Sequence, residues 1–188
     1  MKKIFIVVIF MTSAVISWAQ SGTNSPYSQF GYGMLSDQTQ SMNRGMNGLA
    51  YGFHERNQIN TSNPASYSAL DSLSFIFDAG ISGQLSNFEE SGVKRNAKNA
   101  DIDYIVGAFR VFRRTGVSFG LLPYSNVGYN YYNADYVDGT KTTSYTNTYS
   151  GSGGIHKVYV GIGWAPIKDL ALGVNVSYMW GELNNTVV

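Results

Sequence analysis

From Ser72 onward the chain alternates apolar and polar residues with a period of two, and that pattern restricts the fold more than any other feature. A period of two puts successive side chains on opposite faces of an extended strand. The last stretch shows it most plainly. Leu170, Leu172, Val174, Val176, Tyr178 and Trp180 alternate with Ala171, Gly173, Asn175, Ser177, Met179 and Gly181. Four earlier stretches carry the same signal. Leu73, Phe75, Phe77, Ala79 and Ile81 share one face, with Ile76 as the exception. Ile102, Tyr104, Val106 and Ala108 line one face of a strand running to Phe112. Val117, Phe119 and Leu121 oppose Ser118 and Gly120 before a bend at Pro123. Val158, Val160, Ile162 and Trp164 oppose Lys157, Tyr159, Gly161 and Gly163.

Several of these strands reach the roughly 10 residues needed to cross a bilayer at barrel tilt. Three end their apolar face on an aromatic: Phe112, Trp164, and Tyr178 with Trp180. Connections alternate between short (Arg113–Gly116, Pro166–Asp169) and long polar ones (Asn87–Ala100, Tyr132–Gly154). Short periplasmic turns and long extracellular loops are the rule for outer-membrane barrels. A soluble sandwich also alternates, but favours strands of about 5–6 residues. Charged residues make up only 13%, against about 25% in soluble domains, and the 21 glycines and 14 tyrosines suit a barrel wall. The expected fold is therefore all-β, a transmembrane antiparallel barrel. Bacterial barrels use at least 8 strands, so about five strands predict the N-terminal portion of a larger barrel. An eight-stranded barrel would need three more strands from residues 20–70.

The N-terminus reads as a signal peptide over residues 1–19. Lys2 and Lys3 precede an apolar run from Ile4 to Ile16, and Ser17-Trp18-Ala19 offers small residues for cleavage. The run is too short for a membrane-spanning helix. Removing those two lysines from 13 basic residues leaves 11 against 12 acidic ones, so no basic excess is left to hold nucleic acid. The absence of cysteine excludes disulfides and thiolate zinc sites.

Residues 20–71 lack either period, yet carry Tyr27, Phe30, Tyr32, Met34, Met46 and Phe53. That apolar content predicts an ordered hatch or plug rather than a linker. Arg44–Gly48 is expected to be loop backbone with positive φ. Ala65–Leu70 is expected to be a short helix with Asn63 as N-cap and Pro64 at its first position. The barrel strands occupy 72–188. Arg110, mid-strand, should face the lumen or pair with a carboxylate, with Asp78 and Asp103 as candidates. Glu89-Glu90 and Lys94-Arg95-Lys98 are expected on a solvated loop face.

Catalytic motifs are weak. Gly116-Val-Ser118-Phe-Gly120 matches the G-x-S-x-G pattern, and Asp135 or Asp138 and His156 follow in hydrolase order. That elbow needs a strand before the serine and a helix after it, whereas here a turn precedes and a strand follows. His54 and His156 are too few for a zinc site. No catalytic residue, metal or cofactor is expected, and the chain is read as a non-enzyme.

Four stretches, Ser25-Pro-Tyr-Ser-Gln-Phe-Gly31, Arg44-Gly-Met-Asn-Gly48, Ile59-Asn-Thr-Ser-Asn-Pro-Ala65 and Gly116-Val-Ser-Phe-Gly120, give the chain a resemblance to the FadL/OMPP1/TodX-like outer-membrane proteins. The resemblance implies a 14-stranded barrel plugged by residues 20–70 and passive transport of hydrophobic small molecules. It implies outer-membrane lipid and a hydrophobic ligand as partners, with Asn63, Pro64, Ala65, Phe30 and Phe53 of the hatch as ligand-binding candidates. The alternative is an accessory barrel of a protein-secretion or envelope complex, whose partners are envelope proteins. Both place the chain in the bacterial outer membrane.

Overall fold

The computed structural model describes residues 22–90, 93–136 and 144–188. The signal-peptide reading of residues 1–19 therefore lies outside the described residues. Five long antiparallel strands form one sheet in sequence order: β2 (Phe75–Glu90), β3 (Val93–Phe112), β4 (Thr115–Tyr136), β5 (Ser144–Ile167) and β6 (Leu170–Val187). A two-residue strand, β1 (Met34–Leu35), pairs with β4 off this path. The sheet is antiparallel throughout, and it does not close into a barrel. Residues 22–70 contribute only β1 to it, so an eight-stranded barrel built with that region is ruled out for the described chain.

All five alternating segments are strands, but they run further than the periodicity shows. β2 and β3 pair from Phe75↔Phe109 to Glu90↔Val93, and β4 and β5 pair out to Tyr136↔Ser144. Most of the two expected long loops is thus strand. Their Asn, Ser, Thr and Tyr residues stay in the ladder because a polar side chain on both faces costs nothing where both faces meet water.

One face assignment is corrected. On β3, Tyr104, Val106 and Ala108 are buried, while Ile105, Phe109 and Val111 point outward with Ile102. The register opposite Gly80 and Ile81 skips Asp103. This bulge adds one residue and moves every later side chain to the other face. On the other strands the outward face is the apolar one: Phe75, Phe77, Phe119, Leu121, Val160, Ile162, Trp164, Leu172, Val174 and Val176 are all exposed.

The inner face is covered by residues 22–70. That segment contains a 3-10 turn at Pro26–Gln29, β1, a short helix α1 (Ser41–Gly45) and a second 3-10 turn at Pro64–Ala69. The core lies between segment and sheet and joins Ile59, Tyr67 and Leu70 to Tyr104, Val106, Ala108, Leu122 and Tyr159, with Ile76 packed against them. Arg44–Gly48 is split: Arg44 and Gly45 are helical, while Asn47 and Gly48 take φ of 58° and 83°.

β3 and β4 pair over a short stretch only, from Phe112↔Thr115 to Ile105↔Leu121. Beyond it the strands part, and a bulge in β4 at Tyr124 follows the last shared pair. The N-terminal segment enters this seam.

Candidate functional site

The segment is seated at two places, and glycine makes the first of them. Gly116, Gly161, Gly163 and Gly173 lie on the inner face of β4, β5 and β6 beneath Pro64–Leu70. A Cβ on Gly116 would overlap the Tyr67 carbonyl oxygen, and one on Gly163 or Gly173 would overlap the backbone of Pro64. At Gly161 a Cβ would come within 2.8 Å of the Tyr67 ring. The alternation that puts apolar residues outward thus puts a floor of bare backbone inward, and the turn rests directly on it.

Polar bonds fix the turn on this floor. Tyr67 Oη donates to Asn175 Oδ1 at 3.2 Å, and Asn175 Nδ2 donates to the Thr61 carbonyl at 2.9 Å. Burial pushes the Tyr67 hydroxyl up to about 12, with the Asn175 bond opposing the rise. Ser118 Oγ donates to the Gly107 carbonyl at 3.1 Å and shares a 2.7 Å bond with Tyr159 Oη. Asn63 occupies the N-cap position of a 3-10 turn rather than an α-helix, and its side chain makes no cap bond. Its Nδ2 reaches the Phe53 carbonyl instead, at 3.4 Å.

A charged cluster holds α1. Arg44 pairs with Asp103, and with Asp37 at 3.5 Å. Ser82 Oγ donates to Asp103 at 2.8 Å, and Tyr104 Oη accepts from the Ser41 amide at 2.9 Å. Arg110 does face the segment, but its bonds go to the carbonyls of Phe112 at 3.0 Å and Leu70 at 3.4 Å. The expected pairing of Arg110 with Asp78 or Asp103 is corrected, because Arg44 already neutralises Asp103 and Asp78 meets Tyr104. Lys94 and Glu89 make an exposed 3.4 Å pair near the tip of the β2–β3 hairpin.

The second seat is the seam. Gly22 is wedged between Asp101 and Asn126, Asn24 Nδ2 donates to Asn99 Oδ1 at 2.7 Å, and Asn126 Nδ2 donates to Asp101 at 2.9 Å. β1 pairs Met34↔Asn126 and Leu35↔Ser125, and the Ser36 amide donates to the Tyr124 carbonyl at 2.9 Å. Gly33, at φ +87°, packs against the backbone of Asn126 so closely that a Cβ would meet its oxygen at 2.6 Å.

Of the ligand candidates, Pro64 and Ala65 lie on the glycine floor, Asn63 precedes them and bonds the Phe53 carbonyl, and Phe30 is 66% exposed beside the seam. Sequence reasoning missed the floor and the Arg44 cluster. The inward glycines at alternate positions (116, 161, 163, 173) were the available signal. A shallow groove of about 320 Å³ is lined by Tyr129 and otherwise by Gly151 and Asn, Ser and Thr side chains, among them Asn24, Asn130 and Asn184, a mostly polar lining unlike the apolar one that a greasy cargo needs. Ser118 is buried against Tyr159 on the inner face, while His156 packs by Trp180 on the outer one. A sheet separates them, and Asp138 lies outside the described residues. Among the described residues no group of three or more His, Asp or Glu could hold a metal ion.

A family model described as BamG matches residues 1–188. No curated protein and no solved structure matches the chain. The match corrects the resemblance to the FadL/OMPP1/TodX-like proteins, since BamG is a different family and the match spans the whole chain. The motifs behind that resemblance are five to seven residues long and rich in Gly, Asn, Ser and Pro, residues that turns and close backbone contacts favour in many sheets.

Proposed function

The chain belongs to the BamG family, and from that premise we propose that it is an outer-membrane accessory protein of the envelope's protein-assembly complex, holding its place with a lipid-facing β-sheet. The whole-length family match carries the assembly role. The outward face carries the membrane role. From Leu172 to Trp180 every second residue of β6 is apolar and exposed. At about 3.3 Å per residue and about 40° of tilt this band is roughly 20 Å tall, near the apolar height of an outer-membrane barrel. His156, Tyr178 and Trp180 cluster at one end of it, with ring centroids 6.0 and 6.1 Å apart, and Trp164 stands at the other. Such rings suit the two water–lipid boundaries.

β2 and β6 each keep one long edge without a strand partner among the described residues. An unpaired backbone group in lipid costs several kcal/mol, so the reading requires further strands on both edges. The signal-peptide layout at residues 1–19 fits export. Diffusion of hydrophobic compounds draws no support from the family match.

The test is purification of a tagged chain from outer membranes in mild detergent, with partners identified by mass spectrometry. Components of the outer-membrane assembly complex should be enriched at least several-fold over an unrelated barrel. A chain recovered in the soluble periplasmic fraction, or with no such enrichment, overturns the proposal.

A further inference from the structure

The seam leaves one stretch of β4 half-used. Gly128 gives its amide to Ser28 Oγ at 3.2 Å and takes that hydroxyl on its carbonyl at 3.3 Å. The Tyr124 carbonyl accepts from Ser36, and Asn126 pairs with Met34. The even-numbered residues of β4 beyond the bulge therefore aim their backbone at the seam, while β5 takes the odd ones. By the same alternation Asn130, Tyr132 and Ala134 present their amides and carbonyls to the seam, and among the described residues no backbone partner meets them. The opposing strand, β3, has parted from β4 after Leu121 and does not return.

Natural sheets guard such an edge with lysine, proline or an inward charge. Val127-Gly-Tyr-Asn-Tyr-Tyr-Asn-Ala134 contains neither proline nor charge, and tyrosine favours strands. What fills the first part of the edge is an extended piece of the chain itself: two residues of β1 in antiparallel register and one serine hydroxyl standing in for a strand's backbone. The edge thus already takes extended polypeptide, over less than half its length.

We propose that the seam-facing edge of β4 from Asn130 to Ala134, beyond the positions taken by Met34 and Ser28, is a docking site for an extended strand of a partner polypeptide, added antiparallel where β1 and Ser28 leave off. The main chain supplies the bonds and the alternate side chains the choice of sequence. The partner class, a strand of an outer-membrane protein undergoing assembly, rests on the function proposed above; the edge itself does not.

The test uses the detergent-purified full chain with a photocrosslinking benzophenone residue in place of Tyr132, and as probe a labelled peptide with the sequence Leu170–Gly181, an alternating membrane strand of known composition. Saturable crosslinking is expected, at least tenfold above a scrambled peptide that lacks the alternation. Asn130→Pro removes one seam-facing amide without touching the β5 ladder and should lower capture about tenfold. Ser28→Ala, which frees Gly128, should raise it several-fold. Unchanged circular dichroism of each variant establishes that the sheet persists; if Asn130→Pro unfolds, Asn130→Lys, which guards the edge by charge, replaces it with the same expectation. Equal crosslinking of both peptides, or capture indifferent to Asn130→Pro and Asn130→Lys, overturns the docking site. Co-purification with the assembly complex that survives such a result leaves the proposed function standing; its loss with peptide capture intact does the reverse.

Discussion

The covering segment is held by opposite means at its two ends. Over the glycine floor, Pro64–Leu70 touches bare backbone on three strands and buries Tyr67 and Leu70 almost completely. In the seam, residues 22–36 are held mainly by side-chain amides and hydroxyls and by one two-residue strand, and Tyr27, Phe30, Tyr32 and Leu35 are exposed. Dry backbone contact without a side chain between is dense, and nothing flexible can give way under it. Apart from the buried Ser28–Gly128 contact, the seam's polar bonds are part-buried, and such bonds exchange with water and net little. The floor is therefore the anchor, and the seam is the end that can be traded for another strand.

The strongest way to break this contrast is to put a side chain under the anchor. Gly116→Val would drive a methyl group into the Tyr67 carbonyl. The expected loss is about 3–5 kcal/mol, above the usual cost of overpacking because backbone rather than a side chain must move. Limited trypsin digestion reads it directly: Arg56 is exposed on the covering segment, and cleavage there should speed up sharply. Gly83→Val is the control, since the nearest atom to its Cβ would be Asn99 O at 3.9 Å, and it should leave cleavage unchanged. Equal effects at both positions would sink the anchor.

How much of this was legible in the sequence follows from what period two can encode. Five strands and the outward apolar face of four of them could be read from Phe75, Phe119, Val160 and Val174 and their alternates, because a face built from every second residue shows in residue type alone. The face of β3 could not, since the extra residue at Asp103 inverts the phase and a bulge leaves no mark in a hydrophobicity pattern. Strand lengths were read short because residues 87–100 and 132–154 are polar on both sides, and polarity looks the same in a loop and in a watered ladder. Asn63-Pro64-Ala65 announced the start of a short helix, which proves to be a 3-10 turn without a side-chain cap, but not what lay beneath it. That depended on Gly116, Gly163 and Gly173 arriving from three strands, a long-range coincidence. Arg44 gave no local hint of Asp103, its partner 59 residues on.

Between anchor and seam stands the Arg44 cluster, whose removal should cost less than the floor. Arg44→Met leaves the Asp103 carboxylate, with its side chain only 9% exposed, facing Ser82 alone. A fully buried pair broken this way costs about 3–5 kcal/mol, but Arg44 is itself a third exposed, so roughly 1–3 kcal/mol is expected. Urea unfolding in detergent micelles measures it. Asp103→Asn combined with Arg44→Met should recover part of the loss, and no recovery would mean that packing of the arginine stem dominates.

The Tyr67 hydroxyl gives a smaller effect with a defined pH window. Its proton is held up to about pH 12 in the folded chain against an ordinary value of 10. A raised value means that the folded state binds the proton more tightly. The contribution is thus complete below pH 10 and disappears as pH climbs from 10 to 12. Tyr67→Phe should cost about 1–2 kcal/mol at neutral pH by leaving Asn175 Oδ1 unpaired, and should flatten the loss between pH 10 and 12. Trypsin cleavage at Arg56 followed against pH tests this, and an unaltered alkaline profile in Tyr67→Phe would place the titration on another group.

The smallest effect is expected at the seam, and it is the one that sharpens the contrast most. Asn24→Ala removes the 2.7 Å bond to Asn99 at a partly wet site. Water can replace a lost partner there, so the expected change in global stability is about 0.5 kcal/mol or less. Opening of the seam is a separate quantity, because a segment can detach locally at far lower free energy than the whole sheet unfolds. Amide hydrogen exchange at Met34 and Ser36 should therefore quicken several-fold in Asn24→Ala, while exchange at Leu70 stays at the wild-type rate. A parallel rise at both places would mean that the segment lifts as one piece, and the division into a fixed end and an exchangeable one would fail.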